Sequence, residues 1–175
     1  MGESEVRRIR SATEADAAAL LDIYRPHVER TAVSFETVVP SVEEFAGRIR
    51  KALSGWTWLV MEVDGECVGY AYGSAHRERA GYHWSVEVSA YVREDQHRRG
   101  VARALYTRLF DDLREKGYCN AYAGITLPND ASVGLHRSLG FEPIGVFTAV
   151  GRKLGRWQDV GWFQKKLRDE PPFEP

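Results

Sequence analysis

Glu87 lies in a run, Trp84-Ser85-Val86-Glu87-Val88-Ser89-Ala90-Tyr91-Val92, whose residues alternate in character. Val86, Val88, Ala90 and Val92 fall on one side of a strand, with Glu87, Ser89 and Tyr91 on the other, a polar face. A carboxylate held there can act as a general base. On the pattern alone, a solvated strand glutamate is the simpler reading. Five residues beyond the strand comes His97-Arg98-Arg99-Gly100-Val101-Ala102-Arg103. There the period changes, because Val101, Ala102, Leu105, Leu109 and Leu113 follow helical spacing. The first helical turn offers N–H groups without internal partners and a positive dipole end, so it can hold phosphate. Gly100 lets an anion approach the backbone, and the arginines can pair with further phosphates. An ordinary solvated basic turn is the alternative, since the spacing is neither GxxxxGK[ST] nor GxGxxG.

Three further groups are candidates. The loop Ser74 to Tyr82 carries Arg77, Arg79 and Tyr82, with Glu78 between the arginines, and leads into the Glu87 strand. It is either a solvated charged loop or a source of cations for whatever binds at Glu87. His136 falls in a helix after Asn129, where it can exchange a proton or merely pack. Phe35, in the polar stretch Thr31 to Val39, is either a core plug or a pocket wall.

These residues need a frame, and the chain supplies one domain's worth of length. With 175 residues, 43% of them hydrophobic, and a net charge of −1, the composition is that of a globular protein with no electrostatic call for nucleic acid or an anionic membrane. Cys67 and Cys119 lack metal-ligand spacing and read as buried free thiols, so no metal is expected. No apolar run follows Met1 and none approaches a membrane span; the cytoplasm is the expected compartment.

In chain order, Val6 to Arg10 reads as a strand and Thr13 as the cap of a helix that Pro26 should end or kink. Ser41-Val42-Glu43-Glu44 is a capping box opening a helix to about Leu53. Trp56 to Val63 and Cys67 to Gly73 form a hairpin around Asp64-Gly65. After the central strand and its helix come a strand from Tyr118 to Ile125 and a helix from Ala131 to Leu139, capped by Asn129 or Asp130. A strand opening at Phe141, interrupted at Gly145, and a last one from Val160 to Leu167 complete the chain. The expectation is a single α/β domain over residues 1–170, with a mixed central sheet flanked by helices, and a loose tail over 171–175.

The turn with Gly100 and Ala102 resembles the acetyl-CoA pyrophosphate loop, Gln/Arg-x-x-Gly-x-Gly/Ala, of the GNAT acetyltransferases, with His97 where the family prefers Gln or Arg. Four separated segments narrow this to the phosphinothricin N-acetyltransferase branch: Tyr82 to Glu87, Leu127 to Val133, Leu135 to Phe141, and Trp157 to Gln164. Ile23-Tyr24 and Ser34-Phe35-Glu36-Thr37 are similar too. The resemblance implies a GNAT fold whose fourth and fifth strands splay apart, with the pantetheine arm of acetyl-CoA bound in the gap. It implies Glu87 as the catalytic base that deprotonates an amine, and His136 at a position where other relatives carry a proton-donating tyrosine. Backbone groups of Ala90, Tyr91 and Val92 would meet pantetheine, those of Arg98, Arg99, Gly100, Val101, Ala102 and Arg103 the pyrophosphate, and Asn129 the pantetheine arm. Phe35, Arg77, Arg79, Tyr82, Ser89, Tyr91 and Val160 would meet the acceptor.

The implied reaction is direct transfer of an acetyl group to the α-amine of a glutamate-like amino acid: phosphinothricin, methionine sulfoximine, methionine sulfone or arsinothricin. Two arginines suit such an acceptor, because guanidinium pairs bidentately with a carboxylate and with a phosphinate-like head. A protein N-terminus, a polyamine, or a role as a non-catalytic acyl-CoA sensor are the alternatives. Family habit also implies a homodimer, to which Trp157, Trp162 and Phe163 can contribute; core packing explains those aromatics equally well.

Overall fold

Seven strands form one sheet: Arg7–Ser11 (β1), Trp58–Val63 (β2), Glu66–Ala75 (β3), Ser85–Val92 (β4), Asn120–Leu127 (β5), Glu142–Lys153 (β6) and Arg156–Lys166 (β7). Helices are Ala17–Arg30 (α1), Val42–Gly55 (α2), Val101–Glu115 (α3) and Asp130–Ser138 (α4). The computed structural model describes residues 5–175; the first four residues of the expected domain lie outside the described residues. Strand order is β1-β2-β3-β4-β5-β7-β6, with β4 and β5 parallel and every other neighbour antiparallel.

Local chemistry explains most boundaries. Asp64 and Gly65 both take positive φ, 50° and 86°, which lets a two-residue turn join β2 to β3. Ser41 and Glu44 form the reciprocal capping box, Glu44 N to Ser41 Oγ at 3.1 Å and Ser41 N to Glu44 Oε2 at 2.7 Å. Pro26 lies inside α1, which runs on to Arg30, so the proline does not end the helix. Leu20, Leu21, Ile23, Tyr24 and Val28 are buried on both sides of the proline, and that packing outweighs the one backbone bond proline removes. β5 and β7 start at Asn120 and Arg156 rather than Tyr118 and Val160, and the added residues Arg156, Trp157 and Gln158 pair with β6.

The sheet is covered on both faces. Val86 and Val88 pack with Leu105, Leu109 and Leu113 of α3 in one core. On the opposite face α1 and α2 enclose a second core of Leu20, Phe45, Ile49, Trp58 and Tyr70. Here the expected polar face of β4 is corrected. Tyr91 packs edge-on to Tyr24 at 5.0 Å and against Tyr70 at 5.4 Å, because two helices that the alternation cannot reveal lie over it.

β4 and β5 pair only at Ser85–Asn120, Val86–Ala121 and Glu87–Tyr122. Beyond Glu87 β4 stays with β3, while β5 stays with β7, so the two strands part. This is the splay expected of the fourth and fifth strands. Among the described residues no helix is long and apolar enough to cross a membrane, no cluster of metal-ligating side chains occurs, and Cys67 and Cys119 are free thiols. Within the tail, Phe173 stacks edge-on to Trp84 at 4.9 Å and its carbonyl accepts the indole N–H at 2.9 Å.

Candidate active site

The last residue of β4 to pair with β5 is Glu87, so its carboxylate stands at the point where the sheet opens. Its neighbours come from β3, β5 and the loop after β3. Ser74 of β3 lies across from it, and His76, just past the end of β3, brings Nδ1 to 3.0 Å from Glu87 Oε1. The His76 ring stacks on Tyr122 of β5 at 4.5 Å and 15°, with Tyr82 edge-on at 5.8 Å. Burial raises the Glu87 pKa above the ordinary carboxylate range, while His76 and Arg77 pull the other way. His76 is absent from the sequence expectations. Its only signal there is its place beside Arg77.

Past Glu87, a cleft of about 70 Å³ runs between Val88–Tyr91 of β4 and Ala123–Thr126 of β5, closed by Val33, Tyr106, Asn129, Ser132 and His136. The β4 edge that faced β5 has no strand beside it here. An extended chain of atoms can fill such a gap as a missing strand would. Asn129 both lines the cleft and caps α4, its Oδ1 accepting Ser132 N–H at 3.1 Å. Val160 pairs with Thr126, which lines the cleft, but does not line it itself.

His136 is buried in the cleft wall, with Nδ1 2.8 Å from the carbonyl of Ser132 and Nε2 3.2 Å from the Tyr106 hydroxyl. A carbonyl only accepts, so the network assigns the proton to Nδ1, and Nε2 accepts from Tyr106. Burial lowers the His136 pKa and raises that of Tyr106, which keeps both neutral. The proton between His136 Nε2 and the phenol therefore resides on Tyr106 Oη, a residue that the sequence gives no cue to separate from the α3 core stripe.

At the far end of β4, the turn before α3 puts Arg98 and Gly100 at positive φ, 62° and 79°. Among the described residues, the amides of Arg98, Arg99 and Gly100 donate to no backbone carbonyl. His97 fastens the turn by bonding Nε2 to the Val92 carbonyl at 3.0 Å. The arginines divide. Arg99 is held by Glu5 and its carbonyl by Arg7 at 2.8 Å, and Arg103 donates to Ser138 Oγ at 2.5 Å, whereas Arg98 has no ion pair among the described residues. From Glu87 to Val92 the extended strand covers about 17 Å at ~3.3 Å per residue, so the turn and the carboxylate mark two ends of one elongated site.

Of the expected acceptor residues, Arg77, Arg79 and Tyr82 belong to the loop that carries His76 beside Glu87, whereas Tyr91 lies toward the far end of β4. Arg77 and Arg79 have no ion pair among the described residues, and the Arg79 carbonyl accepts Tyr82 N–H at 2.9 Å. Ser89 and Tyr91 share the face of Glu87. A cavity of about 290 Å³ opens on this face, with Ser74, Tyr72, Trp58 and Arg48 in its lining. Arg48 is held bidentately by Glu36, at 2.8 and 2.5 Å, which keeps the Glu36 carboxyl below its usual range. Phe35 is placed by β6: its ring lies on Gly151, where any Cβ would strike it.

The description "Acetyltransferase (GNAT) domain" fits residues 9–162. This chain belongs to the GNAT acetyltransferase family. It is 37% identical over 167 residues to phosphinothricin N-acetyltransferase of Streptomyces viridochromogenes, covering 95% of this chain and 91% of that one. With the L-methionine sulfoximine/L-methionine sulfone acetyltransferase of Salmonella typhimurium it shares 37% identity over 91% of this chain and 94% of the relative. A GNAT superfamily phosphinothricin acetyltransferase from Sinorhizobium meliloti, solved in complex with acetyl-CoA, superposes with a TM-score of 0.90 at 33% identity, covering 94% and 92% of the two chains.

GNAT acetyltransferases use acetyl-CoA, and the residues here fit it. The unpartnered amides around Gly100 suit a pyrophosphate, and the opened β4 edge suits an amide-bearing arm.

Proposed function

We propose that this GNAT acetyltransferase acetylates the α-amine of a glutamate-like amino acid, of the type of phosphinothricin or methionine sulfoximine, with Glu87 as the base. One observation carries this reading: Glu87 is a partly buried carboxylate at the point where β4 and β5 part, beside a loop that offers two arginines without ion pairs among the described residues. The names of the relatives support the acceptor class.

Acetyl-CoA supplies an acyl carbon activated as a thioester. An aliphatic α-ammonium has no lone pair, and Glu87 takes its proton, directly or through water, as the amine turns toward that carbon. Arg77 and Arg79 hold the acceptor's anionic groups, Tyr82 adds a hydroxyl, and Phe35 and Val160 add apolar contact. Ser89 and Tyr91 line the face, while Ala90, Tyr91 and Val92 offer backbone to the pantetheine arm. Arg98 to Arg103 and Asn129 hold the remainder. His136 Nε2 accepts from Tyr106 and so keeps that phenol, with its proton, in the cleft wall. No residue needs to carry the acyl group, and Cys67 and Cys119 take no part.

The reading also includes a homodimer in the cytoplasm. β6 is an edge strand whose Ile144, Val146, Phe147 and Val150 are exposed, together with Trp157 of β7, and a second copy would cover them. Light scattering at micromolar concentration tests this; a monomer excludes it.

The deciding assay is thiol release from acetyl-CoA with phosphinothricin, methionine sulfoximine, methionine sulfone, arsinothricin, a peptide N-terminus or a polyamine as acceptor, with Glu87→Gln and Arg79→Ala in parallel. Turnover of a glutamate-like acceptor that both changes abolish supports the proposal. Turnover of the peptide or polyamine alone replaces the acceptor. Binding of acetyl-CoA without any turnover replaces the enzyme with a sensor.

A further inference from the structure

We infer that His76 is a positioning residue for Glu87, whose Nδ1–H holds carboxylate oxygen Oε1 so that Oε2 is the oxygen left to the acceptor amine. This deepens the proposed function and rests on Glu87 being the base. A carboxylate only accepts hydrogen bonds, so the ring nitrogen 3.0 Å from it must carry the proton. A base that rotates freely spends little time aimed at one proton, and a fixed hydrogen bond to the other oxygen removes that freedom.

The ring is itself held from several elements. Tyr122 of β5 stacks beneath it at 4.5 Å, Tyr82 meets it edge-on at 5.8 Å, and Trp162 of β7 does so at 6.3 Å. Tyr122 is fixed in turn, because Gln164 of β7 donates to its hydroxyl at 3.1 Å and to Asn120 Oδ1 at 3.1 Å. A chain of contacts thus runs Gln164, Tyr122, His76, Glu87, from the strand beyond the splay to the carboxylate. The titratable and charged groups facing Glu87 are His76, Arg77 of the same loop, Tyr82, Tyr122 of β5 and Tyr72 of β3.

Two substitutions separate positioning from packing. His76→Asn places a side-chain N–H where Nδ1 stands and discards the ring; His76→Phe keeps the stack on Tyr122 and discards the donor. The expected result is a kcat about tenfold lower in His76→Phe, the size of effect a misaimed base produces, with KM for acetyl-CoA unchanged. The acid limb of its pH profile should move upward, because Glu87 loses a hydrogen bond that favours its ionised form. His76→Asn should recover kcat to within about threefold of the parent, since the donor is what matters.

A Phe variant equal to the parent makes His76 a packing residue and overturns the proposal. An Asn variant as impaired as the Phe variant also overturns it, in favour of a proton carried by the ring. Glu87→Gln in the same assays is the separate control: if it keeps full activity, the base assignment fails whatever His76 does. A readout that needs no acceptor is the ¹⁵N shift of the His76 ring. A proton on Nδ1 is expected in the parent, with that preference lost toward Nε2–H in Glu87→Ala, and an unprotonated Nδ1 in the parent overturns the proposal.

Discussion

The two faces of β4 carry alternate residues of one short strand and meet different surroundings. Val86 and Val88 enter a dry aliphatic core against α3, while Glu87, Ser89 and Tyr91 enter a crowded face of tyrosines, tryptophan, hydroxyls and paired charges beneath α1 and α2. The first face is satisfied by burial alone. The second buries polar groups that need partners, and every partner found there, His76 for Glu87 or Ser34 and Glu36 for Tyr24, restricts a group that chemistry or binding can use. One strand thus separates stability from reactivity by parity.

Breaking that separation starts with Glu87. Glu87→Gln should lower kcat by about 10²- to 10⁴-fold, the usual contribution of a positioned base, with little change in thermal unfolding. A comparable loss of stability would show that the carboxylate belongs to the fold. On the other face, Leu109→Ala should cost about 2–5 kcal/mol of stability and leave kcat of the folded fraction near normal, as denaturant titration with parallel assays would reveal.

The pH dependence sharpens the same contrast. The proposed base must be ionised, and burial raises the Glu87 pKa, so activity should be lost as pH falls through a value above the ordinary carboxylate pKa of about 4.3. An acid limb at or below that value contradicts a desolvated base.

Smaller effects belong to the turn beyond the strand. Gly100→Ala places a Cβ at φ 79°, at a cost of about 1–2 kcal/mol, and should raise KM for acetyl-CoA more than it changes KM for the acceptor. Smallest of all, Arg99→Ala should change acetyl-CoA affinity less than Arg98→Ala does, because Glu5 already holds Arg99. Equal effects measured by calorimetry would mean that the Glu5 pair opens when the cofactor binds.

Much of the frame was legible because it is local. The capping box at Ser41, the Asp64-Gly65 turn and the stripe from Val101 to Leu113 depend on neighbours within a few residues, and each forms as its spacing requires. Pro26 leaves the choice open for the opposite reason: whether a helix ends at a proline or runs past it depends on what its apolar stripe packs against.

The site divides in the same way. Sequence by itself determined the parity that groups Glu87 with Ser89 and Tyr91, the glycine at the turn and the family to which the chain belongs, since chirality, pleat and motif spacing are properties of the chain. Only the tertiary structure decided that the strands part immediately after Glu87, that Arg99 is already paired, that Tyr106 holds the proton beside His136, and that His76 grips the carboxylate. Each of those facts joins residues 11 to 94 positions apart or the edges of separate strands, and such contacts exist only once burial has brought the elements together.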